Sequence, residues 1–246
     1  MKILLVNDDG IGAPGLHAMA DALFADHEVY IVAPDKEQSG CGHSLTFHAP
    51  LNYRFVPFED GRTAYSLSGT PADCVKFGID VILGFKPDLV ISGINNTCNI
   101  GTDIVYSGTV NAALESCLHK VKALAVSYEN TDGDYDYVAK FVARNVSLLA
   151  DMLPGDCNTI FNINFPCPQK DLKGVKIART GDRFYHDEYQ YVPERGYFIT
   201  GHPVPAEYND PESDVVLCEK GWACVSPVRV YLNDDALWSR LKEVKF

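Results

Sequence analysis

Short uninterrupted apolar runs alternate with helix-period stripes through the first two-thirds of the chain, and this alternation constrains the fold more than any other feature. Ile3-Leu4-Leu5-Val6 and Val29-Tyr30-Ile31-Val32-Ala33 lack the polar interleaving of a half-solvated strand, so each is expected to be covered on both faces. Pro14 opens the helix between them, with apolar Leu16, Met19, Ala20, Leu23 and Phe24 on one stripe. Thr70-Pro71-Ala72-Asp73 combines an N-cap, a proline at the first helical position and an acid at the third; Val75, Gly78, Ile79 and Ile82 form the stripe that follows. The next strand is expected over 88–92. Ser107-Gly108-Thr109 then leads into a helix with Val110, Ala113, Leu114, Cys117 and Leu118 on one face. A strand over 123–127 and a helix over 135–152 complete the series. The pattern predicts a three-layer, Rossmann-like α/β fold with a mostly parallel, doubly wound sheet and right-handed crossovers.

Two weaker strands, 51–56 and 64–67, flank Glu59-Asp60-Gly61 and suggest a hairpin. The last third changes character. Residues 161–165 alternate, 222–226 read as a strand and 234–244 as a final helix. The aromatic strands 189–192 and 197–200 flank Pro193-Glu194-Arg195-Gly196 as an exposed β-hairpin. No repeat or linker divides the chain, so one domain is expected over 1–246, with a core of about 1–185 and 221–246 and an extended arm of about 186–204.

The formal net charge of -12 repels a long polyanion at distance, which argues against a nucleic-acid polymer as partner. A small phosphorylated substrate remains compatible, because a bound cation reverses the local field. The first residues are strand-like, so no signal peptide is expected, and no apolar run is long enough to cross a bilayer. The cysteines (Cys41, Cys74, Cys98, Cys117, Cys157, Cys167, Cys218, Cys224) form no close C-x-x-C pair and are expected to be reduced, in a cytoplasmic protein with no membrane association.

In a doubly wound sheet, ligands bind beyond the carboxyl ends of the strands. Four polar loops stand at such ends. Asn7-Asp8-Asp9-Gly10 sets two adjacent carboxylates at a buried strand terminus, which is costly unless a cation or donors compensate; alternatively one acid caps the next helix and the other faces solvent. Residues 34–44 form a Ser- and Gly-containing loop in which Ser39 offers a neutral oxygen, though such a loop is often only a connection, and His43 either touches substrate or closes the loop, the second being favoured by turn composition. Asn95, Asn96 and Asn99 supply amide oxygens for a cation and N–H groups for a phosphate, or serve as turn formers. Ser107-Gly108-Thr109 places hydroxyls and backbone N–H groups at a helix N-terminus, where an anion or a simple N-cap fits. Oxygen donors from Asp, Ser and Asn favour a hard cation such as Mg²⁺ or Mn²⁺ over zinc. A cation beside an anion-binding helix end points to a phosphorylated substrate.

With these residues in place the sequence closely resembles the SurE survival-protein nucleotidases. The matching segments are N-D-D-G at 7–10, the Ser39-Gly40 loop, G-T-P-A-D-C-V at 69–75, S-G-I-N at 92–95 with Asn99 and Gly101, and Y-S-G-T-V at 106–110. The resemblance implies a metal-dependent phosphatase acting on nucleoside 5′- and 3′-monophosphates, with short polyphosphate as a further substrate of some members. It implies one divalent cation per subunit, held by Asp8, Asp9, Ser39 and Asn95, and a phosphate pocket lined by Asn99, Ser107, Gly108 and Thr109. It also implies a homodimer, or a tetramer, built through the C-terminal hairpin, with residues 189–201 as the arm. The chain departs from the family's small residues at Thr97, Asn111 and Ser116, and the side chains at 97 and 111 bear on pocket width and hydrogen bonding.

Asp8 is the expected residue to position or deprotonate the attacking water, with Asp9 mainly a ligand. A phospho-acceptor receiver also has an acidic pair after its first strand, but it needs an acceptor Asp after the central strand, where this chain has Ser92-Gly93. A nucleotide-binding module without catalysis would leave the paired carboxylates unexplained, and a dinucleotide-binding dehydrogenase would need a G-x-G-x-x-G that is missing after the first strand.

Overall fold

The structure is a computed structural model that describes every residue except 59–61, 131–132, 206–207 and 245–246. The first half runs β1 (Lys2–Val6), α1 (Pro14–Phe24), β2 (Glu28–Pro34), β3 (Tyr53–Pro57), β4 (Thr63–Leu67), α2 (Pro71–Phe77), β5 (Leu89–Asn95) and α3 (Gly108–Leu118). The second half runs β6 (Lys122–Tyr128), α4 (Asp136–Met152), β7 (Thr159–Phe165), β8 (Val175–Ile177), β9 (Tyr185–Val192), β10 (Gly196–Pro203), α5 (Asp214–Glu219), β11 (Ala223–Arg229) and α6 (Asp235–Leu241). Nine strands form one sheet in the order β3-β4-β2-β1-β5-β6-β7-β11-β8, while β9 and β10 pair only with each other. Pairings from β4 through β7 are parallel; β3 with β4 and β7 with β11 are antiparallel. This is the expected three-layer α/β architecture with an additional hairpin.

Strand periodicity explains the layers. Ile3, Leu5, Ile31 and Ala33 point to the face packed by Leu16, Met19 and Leu23 of α1 and by Val138, Val142 and Val146 of α4. Their neighbours Leu4, Val6 and Val32 point to the opposite face, against Cys74 and Val75 of α2 and Val110, Ala113 and Cys117 of α3. Each fully buried Leu or Ile stabilises the fold by roughly 1.5–3 kcal/mol of transfer free energy, which is why these strands read as unbroken apolar runs. β1 lies between β2 and β5, so the chain turns to opposite sides of it and the loops after β1 and β5 open a crevice between them.

Several boundaries move. β5 continues to Asn95 instead of ending at Ser92, and pairs Asn95 with Ser127 of β6 after a register shift. Gly93 makes this possible: its φ is +137°, and a Cβ there would lie 2.2 Å from the Val126 carbonyl oxygen. α2 passes into a π-helical turn, Gly78–Leu83, that leaves Ile82 only half-buried. β3 and β4 form the expected hairpin, but its turn at Glu59-Asp60-Gly61 lies outside the described residues. The final helix covers Asp235–Leu241, capped by the Asp234 carboxylate on the Leu237 N–H at 2.8 Å.

β8 and α5 have no counterpart in the sequence reading; α5 packs Val215, Leu217 and Cys218 against Cys98 and Ile100 of the loop after β5. All eight cysteines are free. Among the described residues no helix is long and apolar enough to cross a membrane.

Candidate active site

The turn after β1 is shaped before any ligand enters. Gly10 has a φ of +99°, and the Asn7 side-chain amide donates to its carbonyl at 3.0 Å. Neither acid of the turn caps α1, whose N-cap is Ala13 without a side-chain hydrogen bond. Asp8 is buried and serves a different helix. Its Oδ2 accepts the Thr109 backbone N–H at 3.1 Å, and its Oδ1 accepts the Thr109 hydroxyl. The N-terminus of α3 thus lies on the Asp8 carboxylate, where the positive end of the helix dipole favours negative charge.

Gly108 permits that approach. A Cβ on it would stand 2.8 Å from the Asp8 Cβ, 2.9 Å from Oδ2 and 3.0 Å from the Cys41 sulfur. Ser107 caps the helix by accepting the Val110 N–H at 3.1 Å, and its hydroxyl proton stays available to an anion.

Burial raises the Asp8 pKa even though the Thr109 bonds oppose it. Asp9 is pushed up to about 7, first by burial and then by the charges of Asp8 and Glu37. Among the described residues no ion pair reaches Asp8, Asp9 or Glu37. Asn7 Oδ1 is also buried without a partner. The turn is therefore an acidic cluster that, among the described residues, no cationic side chain pairs with.

A cleft of about 430 Å³ gathers Asp8, Ser39, Asn95, Asn99 and Ser107. Asp9 lines an adjoining cleft of about 330 Å³, with Glu37 and Asn96, and Asn96 also lines the first. Gly108 and Thr109 sit behind Asp8, outside either lining. Ser39 donates its hydroxyl to Glu37 at 2.7 Å, which leaves the oxygen lone pairs for a ligand. Asn95 commits its amide nitrogen to the Thr97 carbonyl at 2.7 Å, so its Oδ1 is the atom it can offer. Among the described residues no group of three or more His, Cys, Asp or Glu is placed to hold a metal ion. The expected set is of another kind, two carboxylates joined by neutral oxygens.

The support of the Asn99 loop escaped the sequence reading. Asn164 Oδ1 accepts the Asn99 N–H at 2.8 Å, the Asn162 and Asn164 amides both donate to the Asn99 carbonyl, and the Asn99 side chain donates to Ser127 at 2.9 Å. Asp214 at the start of α5 accepts the backbone N–H groups of Gly101, Gly181 and Val215 and joins three segments, although burial holds its pKa high. The only sequence signal was the Asn-apolar alternation in 161–165, on a strand covered on both sides.

The departures at 97 and 111 have distinct positions. Thr97 lines the cleft. Asn111 instead donates to the carbonyls of Ile104, Val105 and Ser107 and braces the turn before α3. His43 closes its loop as expected, with Nε2 2.9 Å from Glu115 on α3. Cys41 adjoins Asp8, but burial and that negative charge raise its thiol to about 11, so it is not an activated nucleophile.

Comparison with known proteins agrees with the fold and gives its family. The family model described as "Survival protein SurE" matches residues 3–187. A "5'-nucleotidase SurE" of Pelotomaculum thermopropionicum is 40% identical over 250 residues, spanning 99% of this chain and 95% of its own length. A relative with the same description from Thermosipho africanus is 41% identical over 249 residues, spanning 99% and 97%. The crystal structure of the Sure protein from Aquifex aeolicus superposes with a TM-score of 0.83 at 34% identity and covers 98% of both chains.

Proposed function

The chain belongs to the SurE family of phosphohydrolases, and from that premise we propose that it is a divalent-metal-dependent nucleotidase releasing phosphate from nucleoside 5′- and 3′-monophosphates. The observation that carries the proposal is the acidic turn, which no cationic side chain pairs with among the described residues. Asp8 is clamped on the α3 N-terminus, and Asp9 is pushed up to about 7 by burial and by the charges of Asp8 and Glu37.

The donor set fits a hard cation. Asp8, Asp9, Ser39 and Asn95 would hold it, with the Asn95 amide already turned so that its oxygen is free. When bound, Mg²⁺ or Mn²⁺ supplies Lewis-acid polarisation of a phosphoryl oxygen and lowers the pKa of water. The protein's own groups do the rest. Thr109 fixes both Asp8 oxygens, so the carboxylate keeps one orientation in which to position the attacking water. The Ser107 hydroxyl donates towards a phosphoryl oxygen, and Asn162, Asn164 and Ser127 hold Asn99 at the pocket wall. Short polyphosphate is a second substrate under this reading.

The proposal includes a homodimer, or a dimer of dimers, formed through the arm, on which Tyr189, Tyr191 and Tyr197 are exposed. It also includes a cytoplasmic location, which suits eight free thiols. Phosphate release should be measured from a panel of nucleoside 5′- and 3′-monophosphates and tripolyphosphate, with Mg²⁺, Mn²⁺, Zn²⁺ or EDTA. Turnover that EDTA abolishes and Mn²⁺ restores is expected. Release that persists in EDTA contradicts the metal, and a panel without nucleotide turnover contradicts the nucleotidase.

A further inference from the structure

We propose that the groove between the acidic cleft and the base of the β9–β10 arm is a nucleobase subsite, with Tyr106 and Ile199 as its specificity-determining residues. The inference rests on the phosphohydrolase reading above and adds where the leaving nucleoside lies. The groove, about 600 Å³, shares Asp103, Tyr106, Arg183 and Tyr185 with the cleft that holds Asp8. A ligand with its phosphoryl group in the cleft therefore has a continuous path into the groove. Both spaces fall in the roughly 300–1,000 Å³ range of small-molecule sites.

The lining decides what that path accepts. Tyr106 (68% exposed), Phe184 and Ile199 present apolar surface to solvent. A flat heterocycle covering such surface gains both burial and stacking. Tyr106 directly precedes Ser107, the cap of α3, so its ring begins where the phosphate pocket ends. Its backbone is held on both sides: its N–H donates to the Asp103 carbonyl at 3.0 Å, and its carbonyl accepts the Gly42 N–H at 3.0 Å.

Charge argues against a second phosphate in the groove. Among the described residues Arg183 is the one guanidinium in the lining, and its Nη1 donates to Asp103 Oδ2 at 2.9 Å. The Tyr185 hydroxyl donates to the same oxygen at 2.7 Å, and Asp187 adds a further carboxylate to the lining. Two carboxylates against one guanidinium disfavour a polyphosphate tail and suit the N–H donors of a base. The wall is also anchored, because Thr102 donates its hydroxyl to the Arg183 carbonyl and accepts the Arg183 N–H at 3.2 Å.

The test uses the full chain with Mn²⁺ and compares AMP with ribose 5-phosphate, which has no base. Tyr106→Ala and Ile199→Asp are each expected to lower the ratio of kcat/KM for AMP over ribose 5-phosphate about tenfold, through KM, the size of one lost stacking contact. Tyr106→Phe should keep the ratio, and adenosine should compete with AMP in the native chain but not in Tyr106→Ala. Equal loss on both substrates, or a native ratio near one, overturns the subsite. If neither ester is hydrolysed, the phosphohydrolase reading fails separately, and calorimetry with adenosine decides the groove. Binding removed by Tyr106→Ala supports it; absent or unaffected binding overturns it.

Discussion

Thr109 donates twice to Asp8 from 101 positions away, its backbone N–H to Oδ2 at 3.1 Å and its hydroxyl to Oδ1. The pair joins the end of β1 to the start of α3 and sets the direction of the buried carboxylate. Thr109→Val keeps the shape and removes the hydroxyl. It should destabilise the fold by about 1–3 kcal/mol, the range for a lost bond to a buried charged group, and lower kcat on the order of 10²-fold through misorientation. Thr109→Ser should restore most of both. Denaturant unfolding and steady-state turnover check this, and a fully active valine variant would remove Asp8 orientation from the mechanism.

Gly108→Ala tests the close approach itself. The new methyl would stand 2.8 Å from the Asp8 Cβ and 2.9 Å from Oδ2, so one of them must move. Overpacking of this kind costs about 1–3 kcal/mol. The expected result is a folded chain by circular dichroism whose Mn²⁺-induced rise in Tm is lost. A normal rise would show that the carboxylate tolerates displacement.

The acidic turn should make metal binding depend on pH. Asp9 has a folded pKa of about 7, above its unfolded value of about 3.9. The folded state therefore holds the proton more tightly, and the contribution of this group to metal-free stability falls as pH rises from about 4 to about 7. The raised Asp8 pKa acts in the same direction. A cation displaces these protons, so the Mn²⁺-induced rise in Tm should be larger at about pH 8 than at about pH 5.5. Equal rises at both values would place the binding carboxylates elsewhere.

Asn164→Leu should loosen the loop after β5 without touching the cleft. It removes the acceptor for the Asn99 N–H and one donor to the Asn99 carbonyl, both within a buried network. A loss of about 1–3 kcal/mol is expected from the unsatisfied groups, together with faster amide exchange at Asn99 and a higher KM. Unchanged exchange there would mean that Asn162 alone holds the loop.

The arm can be tested through its aromatic pair. Tyr191 and Tyr197 face each other across the ribbon with ring centroids 5.1 Å apart, and both are exposed. If this surface joins copies of the chain, Tyr197→Asp should lower the mass measured by light scattering to that of one chain. An unchanged mass would assign assembly to another surface.

Much of the fold was legible because β1, β2, β5 and β6 are covered on both faces and leave apolar runs that no surface segment imitates. The Thr70–Asp73 capping box was legible for the opposite reason, since its bonds span three residues and recur locally. The loops at Asp8, Ser39, Asn95 and Ser107 stood out as polar breaks at strand ends. What holds them did not. Thr109 meets Asp8, Asn164 meets Asn99 and Asp214 meets Gly101 across 101, 65 and 113 positions, and no local pattern encodes such pairs. Glu37 looked like an ordinary loop residue until folding set its charge against Asp8 and Asp9. α5 was missed because six residues are too few for helical periodicity to rise above chance.

β9 and β10 share no edge with the nine-stranded sheet, and both faces of their ribbon are exposed along nearly its whole length. A two-stranded ribbon is marginal by itself, so in a single chain, without the partner proposed above, it should open locally below the temperature that unfolds the sheet. Because Ile199 belongs to that ribbon and Asp8 to β1's end, heat would act on this chain in two stages. Choice among substrates goes first, while hydrolysis of a bare sugar phosphate persists until the sheet itself gives way.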